Sequence, residues 1–75
     1  MEINVKLIGS LRDRMPPGGK LELPDKATIQ DVLRVLDIPD QRVQVISINN
    51  QFERDRSRQL HSNDEVTVLP AVVGG

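Results

Sequence analysis

The stretch L-E-L-P-D-K-A-T-I-Q-D-V-L-R-V-L, Leu21 to Leu36, decides the fold because its hydrophobic period changes halfway along. Leu21 and Leu23 flank Glu22, an alternation that predicts a short strand ending at Pro24. From Ile29 the period becomes helical. Ile29, Val32, Leu33 and Leu36 recur at i, i+3, i+4 and i+7, which gives one apolar stripe. Thr28 is a good N-cap, and Asp31 sits near the positive end of the helix. Gln30, Asp31, Arg34 and Val35 fall off the stripe. Asp37-Ile38-Pro39 stops the helix, since the residue before a proline avoids the helical region.

On the N-terminal side, Ile3, Val5 and Leu7 alternate with Glu2, Asn4 and Lys6, so a half-buried strand comes first. Met15-Pro16-Pro17-Gly18-Gly19 is a loop, and the first two strands form a hairpin with a long tip. On the C-terminal side, Val43 to Asn49 is a third strand, and Asn49-Asn50 tolerates the positive φ of a turn. Phe52 to Arg58 reads as a solvated connection in which Arg54, Arg56 and Arg58 interleave with Glu53 and Asp55, and Leu60 anchors it to the core. After the Ser62-Asn63-Asp64 turn, Val66 and Val68 point one way and Thr67 and Leu69 the other, as in a last strand.

These elements predict an α+β domain: a mixed four- to five-stranded sheet with one main helix across one face, the first and last strands being central neighbours. The expected core is Ile3, Val5, Leu7, Leu11, Leu21, Leu23, Ile29, Val32, Leu33, Leu36, Ile46, Ile48, Leu60, Val66 and Val68. Register then turns Ile8, Val45, Ser47, Thr67 and Leu69 away from the helix. No second helix covers that face, so an exposed apolar patch for a partner is expected around Ile8, Val45 and Leu69. The domain is placed at 1–69 and a flexible tail at 70–75.

Composition excludes whole classes of function. Seventy-five residues suffice for one domain with a modest core. Ten basic residues against eleven acidic ones argue against an electrostatic binder of nucleic acid or membrane. One phenylalanine, Phe52, with no Trp or Tyr, provides no base-stacking platform. Zero cysteines remove disulfides, thiolate catalysis, zinc–cysteine sites and iron–sulfur ligation. The one histidine, His61, cannot form a metal cluster and reads as a surface residue, so no metal site is expected. No run of about 18 apolar residues spans a membrane. The alternating start M-E-I-N-V-K-L is not a signal peptide. So few reactive groups predict a part that other proteins act upon rather than an enzyme.

The order of elements, closing on Gly74-Gly75, resembles the ubiquitin-like β-grasp sulfur carriers of the MoaD/ThiS family. V-K-L-I-G-S-L-R (Val5 to Arg12) resembles the family's first strand and the short helical turn after it. L-E-L-P-D-K-A-T-I-Q-D-V-L (Leu21 to Leu33) resembles its second strand and helix entry, and V-I-S-I-N-N-Q (Val45 to Gln51) its third strand and turn. N-D-E-V-T-V-L-P-A-V-V-G-G (Asn63 to Gly75) resembles its last strand and tail. Asn50 and Asn63 stand where the family's turns usually carry glycine. The ending P-A-V-V-G-G and the long first loop lie nearer the MoaD branch, the small subunit of molybdopterin synthase.

The resemblance implies a cytoplasmic carrier that is thiocarboxylated on the C-terminal carboxylate of Gly75 after an E1-like adenylyltransferase has used ATP to activate it. It implies a sulfur donor protein and the large subunit of a synthase as further partners, with sulfur delivered to molybdopterin or a related cofactor. No cofactor is expected on this chain, which has no G-x-x-x-x-G-K-[ST] segment to hold ATP. Gly74 and Gly75 suit a narrow partner channel because they lack side chains. Pro70 stiffens the tail root, and Val72 and Val73 offer apolar grip. Three other readings stay open: a ubiquitin-like modifier joined to lysines through Gly75, a sulfur carrier for thiamine thiazole synthesis, and a plain interaction module whose tail is inert.

Overall fold

The computed structural model describes residues 1–71; the expected tail contacts Val72, Val73, Gly74 and Gly75 lie outside the described residues. Five strands, β1 (Glu2–Leu7), β2 (Lys20–Glu22), β3 (Val43–Ile48), β4 (Gln51–Glu53) and β5 (Glu65–Pro70), form one sheet in the order β2-β1-β5-β3-β4. The helix α1 spans Ile29–Val35, and 3-10 turns occupy Gly9–Arg14, Pro17–Gly19 and Asp40–Arg42. β1 and β5 run parallel, with Val5 opposite Val66 and Leu7 opposite Val68. The other neighbours are antiparallel. The first and last strands are therefore adjacent, with β5 in the middle of the sheet.

Both ends of α1 are closed by hydrogen bonds that the sequence shows only in part. Thr28 and Asp31 form a reciprocal capping box: the Asp31 amide donates to Thr28 Oγ1 and the Thr28 amide to Asp31 Oδ2. The next two orphan donors are met by the segment expected to be a mere solvated connection. The Ile29 amide donates to the Arg58 carbonyl at 3.1 Å, and the Gln30 amide to the Arg56 carbonyl at 2.9 Å. At the other end Asp37 takes φ +58°, its amide donates to the Arg34 carbonyl, and the Ile38 amide donates to the Leu33 carbonyl. This is a Schellman ending with aspartate in glycine's usual place, and it folds Ile38 back beside Leu33 into the core.

Fourteen of the fifteen expected core residues are buried; Leu21, on edge strand β2, is half-buried and packs against the cluster. Ala27, Ile38 and Val43 join them. Val43 is buried because a β-bulge between Val43 and Val45 interrupts the alternation of β3, leaving Gln44 exposed. Asn49 and Asn50 both have positive φ, 51° and 70°, which suits a two-residue hairpin turn. That turn starts β4, so Gln51–Glu53 is a strand rather than part of a free connection. The boundary expected after Leu69 falls inside β5, which continues through Pro70.

Candidate functional site: an open sheet face and the root of the tail

The residues turned away from α1 form rows across the sheet. Phe52 lies opposite Ser47, Ser47 opposite Thr67, and Thr67 opposite Lys6. In the next row Val45 lies opposite Leu69, and Ile8 follows one step beyond the Leu7–Val68 pair. The structure thus brings together Ile8, Val45 and Leu69. Ile8 and Val45 are half-buried, not exposed as expected, because the 3-10 turn on one side and the neighbouring strands on the other crowd them. Leu69 is 36% exposed. The largest exposed apolar side chain is Phe52, at 81%. It belongs to this face and was missing from the expected patch, because its segment did not read as a strand. Beside it a groove of about 460 Å³ runs along β3, lined by Val45 and Phe52 and rimmed by Arg54 and Arg56.

Pro70 ends β5 opposite Val43. The proline has no amide hydrogen, so the next donor is Ala71, whose N–H reaches the Arg42 carbonyl at 2.8 Å. On the other side the Pro70 ring meets Gly9, whose φ is +58°; a Cβ there would stand 3.2 Å from Pro70 Cγ. Glycine is favoured at this position both by the backbone conformation and by the approach of the ring, and a side chain there would have to displace the ring slightly. Arg42 Nη2 donates to the Ser10 carbonyl at 2.9 Å and lies 3.7 Å from Asp13. Neither Gly9 nor Arg42 carries a sequence signal for this role, since both act through neighbours distant in the chain.

Several other polar groups are tied into the fold by hydrogen bonds and ion pairs. Asp64 is buried near the foot of β5, where burial raises its pKa. The Asn49 side-chain amide at 3.0 Å and the His61 backbone N–H at 2.8 Å outweigh that effect, with the charges of His61 and Arg58, and hold the carboxyl below the usual aspartate value. The His61 side chain is exposed. Arg58 pairs with Glu53 at 3.5 Å and Arg56 with Asp40 at 3.9 Å. Among the described residues no group of three His, Asp or Glu side chains is placed to hold a metal.

The described residues thus form a one-helix mixed sheet with one face uncovered and its last strand anchored at Pro70 and Ala71. The sequence matches the ThiS family over residues 5–75, and the chain belongs to that family. No curated protein is significantly similar in sequence. Among solved structures the chain resembles small archaeal modifier protein 1 from Haloferax volcanii, with TM-score 0.71 at 17% identity over 95% of this chain and 98% of that one. It also resembles a Pyrococcus furiosus protein described as a molybdopterin converting factor, subunit 1, with TM-score 0.71 at 19% identity over 96% and 99% of the chains. A third likeness is to the complex of subunits 1 and 2 of the molybdopterin-converting factor from Helicobacter pylori 26695, with TM-score 0.64 at 18% identity over the whole of both chains. The fold is the ubiquitin-like β-grasp. No helix among the described residues is long and apolar enough to cross a membrane.

Proposed function

We propose that this chain is a sulfur carrier that presents the carboxylate of Gly75 to an E1-like adenylating enzyme. The observation that carries the reading is the extent of the family match, which runs through Gly75 itself. An α-carboxylate is ionised at neutral pH and is a poor acylating agent as it stands. The partner's ATP converts it to an acyl-adenylate: a carboxylate oxygen bonds to the α-phosphorus and pyrophosphate leaves. Hydrosulfide, released from a donor protein's persulfide by an external thiol that is itself oxidised to the disulfide, then attacks the acyl carbon and AMP leaves, giving the thiocarboxylate. The chain acts as cosubstrate rather than catalyst. The likeness to the two molybdopterin-converting factor structures favours molybdopterin synthesis as the destination, with the large synthase subunit as acceptor. Docking is assigned to the open sheet face, with Phe52 joining Ile8, Val45 and Leu69, while Pro70, opposite Val43, holds the root of the tail.

The likeness to small archaeal modifier protein 1 favours a second reading, in which the activated Gly75 carboxyl forms an isopeptide with a lysine. Intact-mass spectrometry of the protein from its native cell separates the two. Exchange of one oxygen for sulfur at Gly75 is the expected result. Adducts linked through Gly75 would support the modifier, and an unmodified carboxyl under every condition would overturn both. Removing Gly75, or appending one residue after it, is expected to abolish activation while leaving the melting curve unchanged.

A further inference from the structure

We propose that Arg42 is a positioning residue that straps the root of the tail and so sets where the carboxyl is delivered. This rests on the reading that Gly75 is activated, which the carrier and the modifier share. The sheet order places β5 between β1 and β3. Arg42 precedes β3, while Ser10 and Asp13 lie in the 3-10 turn after β1. The guanidinium, donating to the Ser10 carbonyl at 2.9 Å and facing Asp13 at 3.7 Å, therefore ties together the flanks of the two strands on either side of β5. The end of β5 is held between those flanks. The Pro70 ring rests against Gly9, and the Ala71 amide is bonded to the backbone carbonyl of Arg42 itself. One residue thus holds the tail root with its carbonyl and closes the clasp with its side chain.

The consequence is one of reach. Four residues follow Ala71, and a fully extended chain of that length spans at most about 14 Å. With Ala71 fixed, the carboxyl is confined to that radius around a defined exit. If Pro70 and Ala71 peel away, the root retreats to Leu69 and about 7 Å of slack is added. The docked carboxyl then samples a larger volume and meets the ATP α-phosphorus less often in reactive geometry. Contacts through Phe52 and Leu69 are unchanged. Loosening the strap is thus expected to lower kcat for adenylation and to spare KM.

The test uses the full chain with an E1-like adenylating enzyme from the same genome, following pyrophosphate release, together with amide hydrogen exchange by NMR. Arg42→Ala is expected to lower kcat about tenfold, with KM within about twofold of wild type. Exchange of the Ala71 amide is expected to quicken about tenfold, while the Val66 and Val68 amides and the melting midpoint stay unchanged. Arg42→Lys is expected to recover part of both effects, because the ammonium keeps the charge that faces Asp13 but not the reach and direction with which Nη2 meets the Ser10 carbonyl. Arg34→Ala, the same charge change on the helix, is expected to act like wild type. Wild-type kcat and Ala71 exchange in Arg42→Ala would overturn the proposal, as would a change confined to KM. Should Arg42→Ala fail to fold, Arg42→Lys decides by the same two measurements. Should wild type itself not be adenylated, the functional reading falls, and Ala71 exchange alone judges the strap: no change in Arg42→Ala overturns it.

Discussion

Val68 and Leu69 are consecutive residues of β5, yet one is fully buried and the other is 36% exposed. The whole sheet repeats that contrast. Against α1 it presents Ile3, Val5, Leu7, Ile46, Ile48, Val66 and Val68, none more than 4% exposed. On the other side Ser47 and Thr67 occupy the centre, with Phe52, Leu69, Val45 and Ile8 around them. The covered face is made of β-branched and aliphatic side chains in close contact, and it supplies stability. The open face keeps Ser47, itself buried, and Thr67 in the middle and larger apolar side chains toward the margin. A change of one position along a strand therefore moves a mutation from the packed face to the face we propose for docking.

The sharpest way to break this division is Leu33→Ala. Leu33 is 1% exposed in the middle of the helix stripe, and its truncation leaves a cavity. A loss of about 2–5 kcal/mol is expected from denaturant unfolding, with docking of the folded fraction unchanged. Melting like wild type would show that the covered face does not carry stability. The complementary change is Leu69→Asp or Phe52→Ser on the open face. Phe52→Ser is expected to leave unfolding within about 0.5 kcal/mol of wild type. Leu69→Asp, at a partly covered position of the central strand, is expected to cost about 1–2 kcal/mol. Each is expected to weaken binding of the folded protein to the activating enzyme about tenfold in a titration. Unchanged affinity in both, with loss of binding when Arg54 and Arg56 are neutralised, would move the interface to the charged margin.

A smaller effect separates the foot of β5 from both faces. The Asp64 carboxyl has a lowered folded pKa, so its contribution is complete above the unfolded aspartate value of about 3.9 and is lost as pH falls through the folded value. Asp31, held low chiefly by the Thr28 backbone amide, acts in the same direction. Thermal melts at pH 7 and pH 3 are expected to show a smaller drop in midpoint for Asp64→Asn than for wild type. An equal drop would assign the acid sensitivity elsewhere. The smallest effect is expected at Asn50, exposed at φ 70°. Asn50→Gly relieves the positive φ and is expected to raise stability by no more than about 1 kcal/mol, whereas Asn49→Gly also removes the bonds to Asp64 and the Glu65 amide and lowers it.

What the sequence discloses follows from how local each signal is. The helix stripe, the Thr28 cap and the two outer alternations are carried by residues within a few positions of one another, and the structure bears them out. Ile38 and Val43 escape such reading because an aspartate in the left-handed conformation and a one-residue bulge break the periods on which it rests. Phe52 escapes it because β4 has three residues, too few to alternate visibly. The charged segment to Arg58 conceals its use, since its carbonyls rather than its side chains cap the helix. Arg42 and Gly9 act across separations of about thirty residues and more, which no pattern along the chain records.

The parallel pairing of β1 with β5 has a bearing on synthesis. β5 is the last of the five strands to leave the ribosome and the one on which both halves of the sheet close. Until it emerges, β1 and β3 have no common neighbour, and the apolar side chains beneath α1 have no lid. The two pairs, β1 with β2 and β3 with β4, must therefore wait for Glu65–Pro70 before they can join. Such late, long-range closure is slow compared with local folding. A partner that recognises both halves of the sheet, as the proposed docking face requires, would therefore meet that surface only on a finished domain.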